Sequence, residues 1–396
     1  MSTCGKHLFY RDRKEWNDIT PVPQDDNGRH IVNIAYSEEF VDAHDYFRAV
    51  LLKNELSERT FSLTSEILLM NPANYTAWEY RRRIIKEISS DLNAELRFVG
   101  SLIEEYSKNY QLWHHRQWIV EELSKQTANG SCNSLTHLSS DELRFTDDVI
   151  SDDPKNYHAW QHRRWIVTFF KISVEEELAF TERMLLTDVH NNSAWNHRFY
   201  IITLDEGLSS SVLTREIDFV QKRISFAPNN ESSWNYFYGL LVPLVHNRKY
   251  IISSETSKLS DEKSSSNVID LMPKLQLMLK FVEDLMAVDH TVVDCLAPLS
   301  FLVEVYTDYL ELHFMKQVNG GNGTSGKQDS PHIDASTGDS VNITYDPKTI
   351  FDRAVSLCNR LANEVDRIRA NYWQYRVRQL TCFAKKFNLP CDIIIS

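Results

Sequence analysis

Apolar residues recur along most of this chain at the spacing of an amphipathic helix. Leu92, Leu96, Val99, Ile103 and Tyr106 advance by 4, 3, 4 and 3 positions, which sets all five on one helical face. Ser107, Lys108 and Asn109 then interrupt the run, and short polar side chains that bond their own backbone favour a turn there. A second helical run passes through Trp113, Ile119 and Val120, so the segment reads as a helix–turn–helix unit. One such hairpin cannot bury both of its faces, so neighbouring hairpins have to stack.

The unit returns along the chain. Trp78, Trp113, Trp160, Trp195 and Trp234 each carry Asn four residues earlier, at Asn74, Asn109, Asn156, Asn191 and Asn230. Three residues after the Trp stand Arg81, Arg116, Arg163 and Arg198, with Phe237 in the fifth copy. Two residues after it stand Tyr80, His115, His162, His197 and Tyr236. A degenerate later copy, Trp373-Gln374-Tyr375-Arg376, keeps the second half of the pattern. The tryptophans are 35, 47, 35 and 39 residues apart, and the longest gap holds the polar stretch Thr127 to Ser134. Without it the period is about 35 residues, the length of a helical hairpin repeat. The predicted fold class is all-α, an alpha-alpha superhelix of repeated hairpins.

Residues 1–40, with Pro21-Val22-Pro23, lack this periodicity and are expected to form an extended N-terminal arm. Residues 41–390 are expected to form the repeat array, with polar insertions near 124–140, 250–268 and 315–345. The last two are low-complexity, Ser/Lys/Glu-rich and Gly/Ser/Asn/Asp-rich, and read as loops. Helical pattern resumes at Pro347 and runs through Val377.

Composition narrows the function classes. The chain has 396 residues with 42% hydrophobic and 25% charged, ordinary for a soluble globular protein, and 11 Gly and 11 Pro are few for a fold of many short strands. A net charge of −12 argues against a broad nucleic-acid or anionic-membrane surface, while leaving room for a local basic pocket. The six cysteines are scattered without a Cys-x-x-Cys pair, as in a reduced intracellular protein. No signal pattern opens the sequence and no apolar run approaches a membrane span, so a cytoplasmic location without integral membrane contact is expected.

The repeat supplies its own control for candidate chemistry. Residues present in nearly every copy serve packing: Trp as a wedge, Asn as a turn or cap residue, Arg as a structural hydrogen-bonding group. The His/Tyr position suits aromatic packing better than metal ligation. Function belongs where copies differ on the same exposed turn. Five residues before the Trp, the second and third repeats carry Lys108 and Lys155, against Ala73, His190 and Asn229 elsewhere. Those two repeats therefore present Lys108, Tyr110, Gln111, Lys155, Asn156, Tyr157 and His158 on adjacent turns. On composition alone this edge also reads as an ordinary solvated surface.

The pattern Asn-Tyr-x-x-Trp-x-His/Tyr-Arg differs from the tetratricopeptide repeat, which places Trp near the start of its first helix with Leu-Gly following. It resembles the repeat of protein prenyltransferase alpha subunits, from about Tyr10 to Leu380. Within that family, Tyr10-Arg11-Asp12-Arg13-Lys14-Glu15-Trp16, Pro21-Val22-Pro23-Gln24 and Ala43 to Val50 are similar to the alpha subunit of the CaaX-type enzymes rather than the Rab-type one. The resemblance implies a heterodimer that moves farnesyl or geranylgeranyl from its diphosphate to the cysteine of a C-terminal CaaX motif. It implies that Lys108 binds the isoprenoid diphosphate with Tyr110 and Tyr157 nearby. It implies that Gln111 bonds the peptide carboxylate, and that Asn156 and His158 line the peptide side. Lys155 has a less secure counterpart and also reads as solvated. The acceptor cysteine needs a thiolate, which in the family a zinc supplies. No His-Glu-x-x-His or Cys-x-x-Cys is present here, so the resemblance places Zn2+ in an obligate beta subunit and none in this chain. Mg2+ on the diphosphate is expected for farnesyl transfer, and CaaX-terminated proteins such as small GTPases are the expected substrates. The competing readings are an inactive scaffold of the same fold and a generic helical-repeat adaptor that binds a peptide.

Overall fold

A computed structural model of the protein describes residues 8–25, 34–128, 132–204, 207–242, 271–320 and 345–389. Helices and short turns account for the ordered elements, and no strand occurs among the described residues. The chain divides into two compact units, Met1–Ser173 and Val174–Ser396.

In the first unit, α1 (Glu38–Lys53) is followed by three hairpins: α2 (Glu58–Met70) with α3 (Tyr75–Ile88), α4 (Leu92–Glu105) with α5 (Tyr110–Ala128), and α6 (Cys132–Asp152) with α7 (Tyr157–Phe170). The second unit opens with α8 (Val174–Thr187) and α9 (Asn192–Ile202), then α10 (Ser210–Phe226) and α11 (Glu231–Gly239). It continues with α12 (Leu271–Val288), α13 (Leu296–Gly320), α14 (Pro347–Arg360) and α15 (Ala370–Lys386). The all-α class built of hairpin repeats, with Trp near the start of each second helix, is thus present in both units.

Each turn is closed by the same two side chains. The Asn four before the Trp accepts backbone N–H groups of the coming helix: Ala77 to Asn74 at 3.0 Å, Gln111 to Asn109 at 3.0 Å, Ala159 to Asn156 at 3.2 Å, Ala194 to Asn191 at 3.2 Å and Ser232 to Asn230 at 3.1 Å. These are N-caps for donors that the helix itself cannot satisfy. The Trp indole reaches back six residues to a carbonyl, at Pro72, Ser107, Pro154, Val189 and Pro228, over 2.7–2.9 Å. All five Trp rings are buried, so their polar edge needs this partner.

Between hairpins runs a buried ionic bracket whose glutamates do not belong to the motif. Glu95 accepts both Nε and Nη2 of Arg81 at 2.7 Å and Nε2 of His115 at 2.8 Å. Glu142 accepts Arg116 at 2.9 and 2.6 Å and His162 at 3.0 Å. In the second unit Glu177 meets His197 at 2.7 Å, and Glu216 takes Arg198 at 2.7 and 3.0 Å and the hydroxyl of Tyr236 at 2.7 Å. One carboxylate therefore ties the Arg of one repeat to the aromatic residue of the next. Burial raises the pKa of Glu95, Glu142 and Glu216, but the charged and hydrogen-bonding partners outweigh it and each stays lowered. Burial pushes His115 down to about 4 and lowers His162, so both are neutral donors at pH 7. The His/Tyr position also packs: His115 lies 4.3 Å from Trp78, His162 5.3 Å from Trp113 and Tyr236 4.9 Å from Trp195, between ring centroids.

Residues outside the repeat behave in several ways. Two short 3-10 turns, Tyr10–Asp12 and Lys14–Trp16, bury Tyr10, Trp16 and Ile19 against the first helices. Arg59 of α2 fastens the segment, gripping both oxygens of Asp18 at 2.7 and 2.8 Å. The polar stretch near 124–140 lengthens α5 and α6, which reach Ala128 and start at Cys132. The stretch near 250–268 lies outside the described residues, as does 321–344 of the third. The helical pattern after Pro347 is broken by a π turn at Leu361–Val365 and a 3-10 turn at Arg367–Arg369. There Asp366 accepts the indole of Trp373 at 2.7 Å, and Arg376 pairs with Glu304 at 2.7 and 3.0 Å. The degenerate copy keeps the roles of Trp and Arg with new partners.

Candidate functional site

The turns before α5 and α7 sit side by side. Asn156, besides capping α7, donates its Nδ2 to the carbonyl of Ser107 at 3.3 Å, the oxygen that also receives the Trp113 indole. The second unit repeats the link, with Asn230 donating to Val189 at 2.6 Å. This bond sets the spacing of successive turns, and with it the spacing of whatever the turns display.

At the junction of the second and third repeats they display Lys108, Tyr110, Lys155 and Tyr157, all exposed; Tyr110 and Tyr157 keep 63% and 71% of their surface. Both tyrosines are the first residues of their helices, where unpaired N–H groups and the helix dipole favour an anion. Lys108 projects 78% exposed and its Nζ lies 3.3 Å from Oδ2 of Asp153. Gln111 and His158, on the same first turns, are half-buried, and the His158 ring meets Tyr157 edge-on at 5.7 Å.

Asn156 is the exception among the expected site residues. It is 1% exposed, and its amide is consumed by the cap of α7 and the bond to Ser107. It positions the two turns, and at this burial it presents almost no surface to a ligand. Its presence in every repeat signals the structural role.

A groove of about 560 Å³ opens between α5 and α7, entered past Tyr110 and His158 and continuing along His114, Gln117, Gln161 and Trp165 over a floor of Trp113 and His162. The sequence reading did not single out those further residues. The same eight repeat positions form a smaller groove of about 270 Å³ between α9 and α11, where Asn192 replaces Tyr110, Ser232 replaces His158 and Gly239 replaces Trp165. The groove is therefore a product of repeat geometry, while a lysine on both turns is particular to this junction; the tyrosine position is shared with the exposed Tyr75 of the first repeat. Chemically that mouth offers two ammonium groups, two phenol donors, a carboxamide and an imidazole, a set suited to a polyanion beside a carboxylate.

Among the described residues no group of three or more His, Cys, Asp or Glu is placed to hold a metal ion. No helix among them is long and apolar enough to cross a membrane.

Comparison with known proteins gives a consistent picture. A family model described as the protein prenyltransferase alpha subunit repeat matches residues 57–88, 92–123, 139–170, 174–205 and 213–242. The protein farnesyltransferase/geranylgeranyltransferase type-1 subunit alpha of Solanum lycopersicum is 40% identical over 111 residues, 27% of this chain and 32% of that protein. The protein of the same name from Pisum sativum is 48% identical over 89 residues, 22% of this chain and 27% of that one. The chain thus spans about a third or less of the length of the curated relatives it matches. A solved chain of Candida albicans protein geranylgeranyltransferase-I complexed with GGPP aligns at a TM-score of 0.64 and 25% identity, over 92% of this chain and 97% of that one.

Proposed function

We propose that this chain, which carries protein prenyltransferase alpha subunit repeats, works as the alpha subunit of a heterodimeric CaaX protein prenyltransferase. In this reading the enzyme transfers farnesyl or geranylgeranyl from its diphosphate to the cysteine of a CaaX terminus, in proteins such as small GTPases. One observation carries the reading: Lys108, Tyr110 and Tyr157 stand exposed on two hydrogen-bonded turns at a single junction of the array.

The chemistry asks for such groups. The acceptor thiol gives its proton to solvent, the thiolate sulfur bonds to C1, and the C1–O bond of the isoprenoid diphosphate breaks with its electron pair leaving on the diphosphate. Negative charge grows on the leaving oxygen. A Lys108 ammonium and the Tyr110 and Tyr157 hydroxyls aimed at it stabilise the transition state more than the bound substrate. Gln111 donates its amide to the peptide carboxylate without placing a full counter-charge there, and His158 borders the peptide. Asn156 holds the two turns in register. Zinc, when bound, supplies the thiolate by lowering the pKa of the acceptor cysteine. The described residues offer no donor set that fits it, so we assign its ligands to the beta subunit. Mg2+ would neutralise the diphosphate, and a cytoplasmic location suits protein substrates of this kind.

The test is transfer of labelled farnesyl diphosphate to a CaaX peptide by this chain co-expressed with its beta subunit, with each chain alone as control. Activity only in the pair, abolished by a zinc chelator, is the expected outcome. A stable pair that transfers nothing would establish the inactive-scaffold reading instead, and failure to pair would establish the adaptor.

A further inference from the structure

The Lys108 ammonium has a partner that the reaction does not require. Asp153 sits at the start of the neighbouring turn, three residues before Asn156, with Oδ2 3.3 Å from Lys108 Nζ. Its other oxygen caps its own turn by accepting the backbone N–H of Lys155 at 3.1 Å, and its carbonyl accepts the N–H of Asn156 at 3.0 Å. Asp153 is thereby fixed, with 31% of its side chain exposed, while Lys108 at 78% is free to swing.

The other repeats separate structure from function here. The turn-to-turn amide bond recurs at Asn230 and Val189, so register does not depend on an ion pair. The capping bond recurs in the first repeat with an uncharged residue, where Asn71 accepts the N–H of Ala73 at 3.1 Å. At the two other junctions that lie within one unit, the positions of Lys108 and Asp153 hold Ala73 with Tyr106 and His190 with Ala227. In sequence the third and fourth repeats carry the same pair as Lys155 and Asp188, and Asp188 makes the same cap by accepting the N–H of His190 at 2.9 Å. What the structure shows at this junction is the carboxylate held within reach of the lysine.

We propose that Asp153 is a positioning residue that holds Lys108 beside the diphosphate site and competes with the diphosphate for it. The inference rests on the proposed role of Lys108. A diphosphate reaching the turns has to draw Lys108 away from Asp153 and sit close to that carboxylate. Asp153 therefore weakens binding of substrate and of inorganic pyrophosphate in the ground state. An exposed ion pair is easily exchanged, so the lysine remains available as charge develops on the leaving group. Release of pyrophosphate is assisted by the same return of Lys108 to Asp153.

The test is the dissociation constant of inorganic pyrophosphate, by titration calorimetry on the heterodimer, for wild type, Asp153→Asn, Lys108→Ala and the double variant. Asn71 shows that Asn can carry the cap, so Asp153→Asn removes charge while leaving the turn closed. Asp153→Asn is expected to bind pyrophosphate about two- to fivefold more tightly, the worth of one exposed ion pair. The gain should shrink as salt is raised, vanish in the Lys108→Ala background, and be reversed by Asp153→Glu. Unchanged or weaker binding in Asp153→Asn would overturn the latch while leaving the function standing, provided Lys108→Ala still weakens binding. Indifference of binding to Lys108→Ala would remove both.

Discussion

At the level of single residues, the repeat separates groups that build the molecule from groups that act. Asn74, Asn109, Asn156, Asn191 and Asn230 all cap the second helix of their hairpin, whereas Lys108 and Gln111 have no counterparts of their type at the same positions of the first, fourth and fifth copies. The two should fail differently. Lys108→Ala is expected to lower kcat for prenyl transfer by about 10²-fold, the scale set by losing one donor to a developing anion. The peptide KM should move little, because the interaction strengthens only as the C1–O bond breaks. Gln111→Ala should instead raise the peptide KM with kcat nearly unchanged. Equal loss of rate and peptide binding in Lys108→Ala, or an unmoved KM in Gln111→Ala, would argue against these roles. The candidate lysines stood out in sequence because they break the repeat, whereas Tyr110 and Tyr157 share their position with Tyr75 and entered through the family resemblance. Asn156 entered the candidate set through the family pattern, while its presence in every copy matches the cap and the turn-to-turn bond it makes. Asp153 was invisible, since nothing in a linear reading pairs it with a lysine 45 residues earlier.

At the level of the element, the hairpins and their turns follow from spacing that the sequence displays openly: apolar steps of 3 and 4, a capping Asn, a Trp four residues on. The bracket between hairpins was harder to see. Its glutamates lie on the first helix of each hairpin, 14 residues after Arg81 but 26 after Arg116, because the polar stretch lengthens α5 and α6. Measured to the His or Tyr instead, the separation is 20 at every bracket, from Glu95 to His115, Glu142 to His162, Glu177 to His197 and Glu216 to Tyr236. That constant interval is the signal a sequence reading could have used. Glu142→Ala strands the Arg116 guanidinium in a buried site and takes the acceptor from His162, so we expect a loss of about 3–5 kcal/mol. Denaturant midpoints would measure it against Glu87→Ala, an exposed change expected to stay within about 0.5 kcal/mol. Similar midpoints for the two variants would mean that the bracket contributes specificity of packing and little stability.

For the whole molecule, brackets distributed through both units make stability a function of pH. Lowered glutamates contribute stability that is complete above the ordinary carboxylate range and is lost as pH falls through it. The buried histidines act in the same direction at higher pH. His115 is held near 4 by burial against an ordinary value of 6.5, with Glu95 opposing the shift and Arg81 and Arg82 adding to it. The unfolded chain therefore binds a proton between those values that the folded chain refuses, so stability is complete above about pH 6.5 and falls toward pH 4. Between pH 7 and pH 5 this one residue should account for about 2 kcal/mol. The fifth repeat offers the corrective substitution: Tyr236 fills the same position and donates to its glutamate at 2.7 Å without titrating in this range. His115→Tyr should keep the bracket at pH 7 and lose less stability on acidification, with His162 still supplying a residual slope. Thermal unfolding of the full chain at pH 7, 6 and 5 would show a smaller drop in Tm for His115→Tyr than for wild type. Parallel drops would mean that the acid sensitivity arises from the carboxylates alone, and that His115 is already free to protonate in the fold.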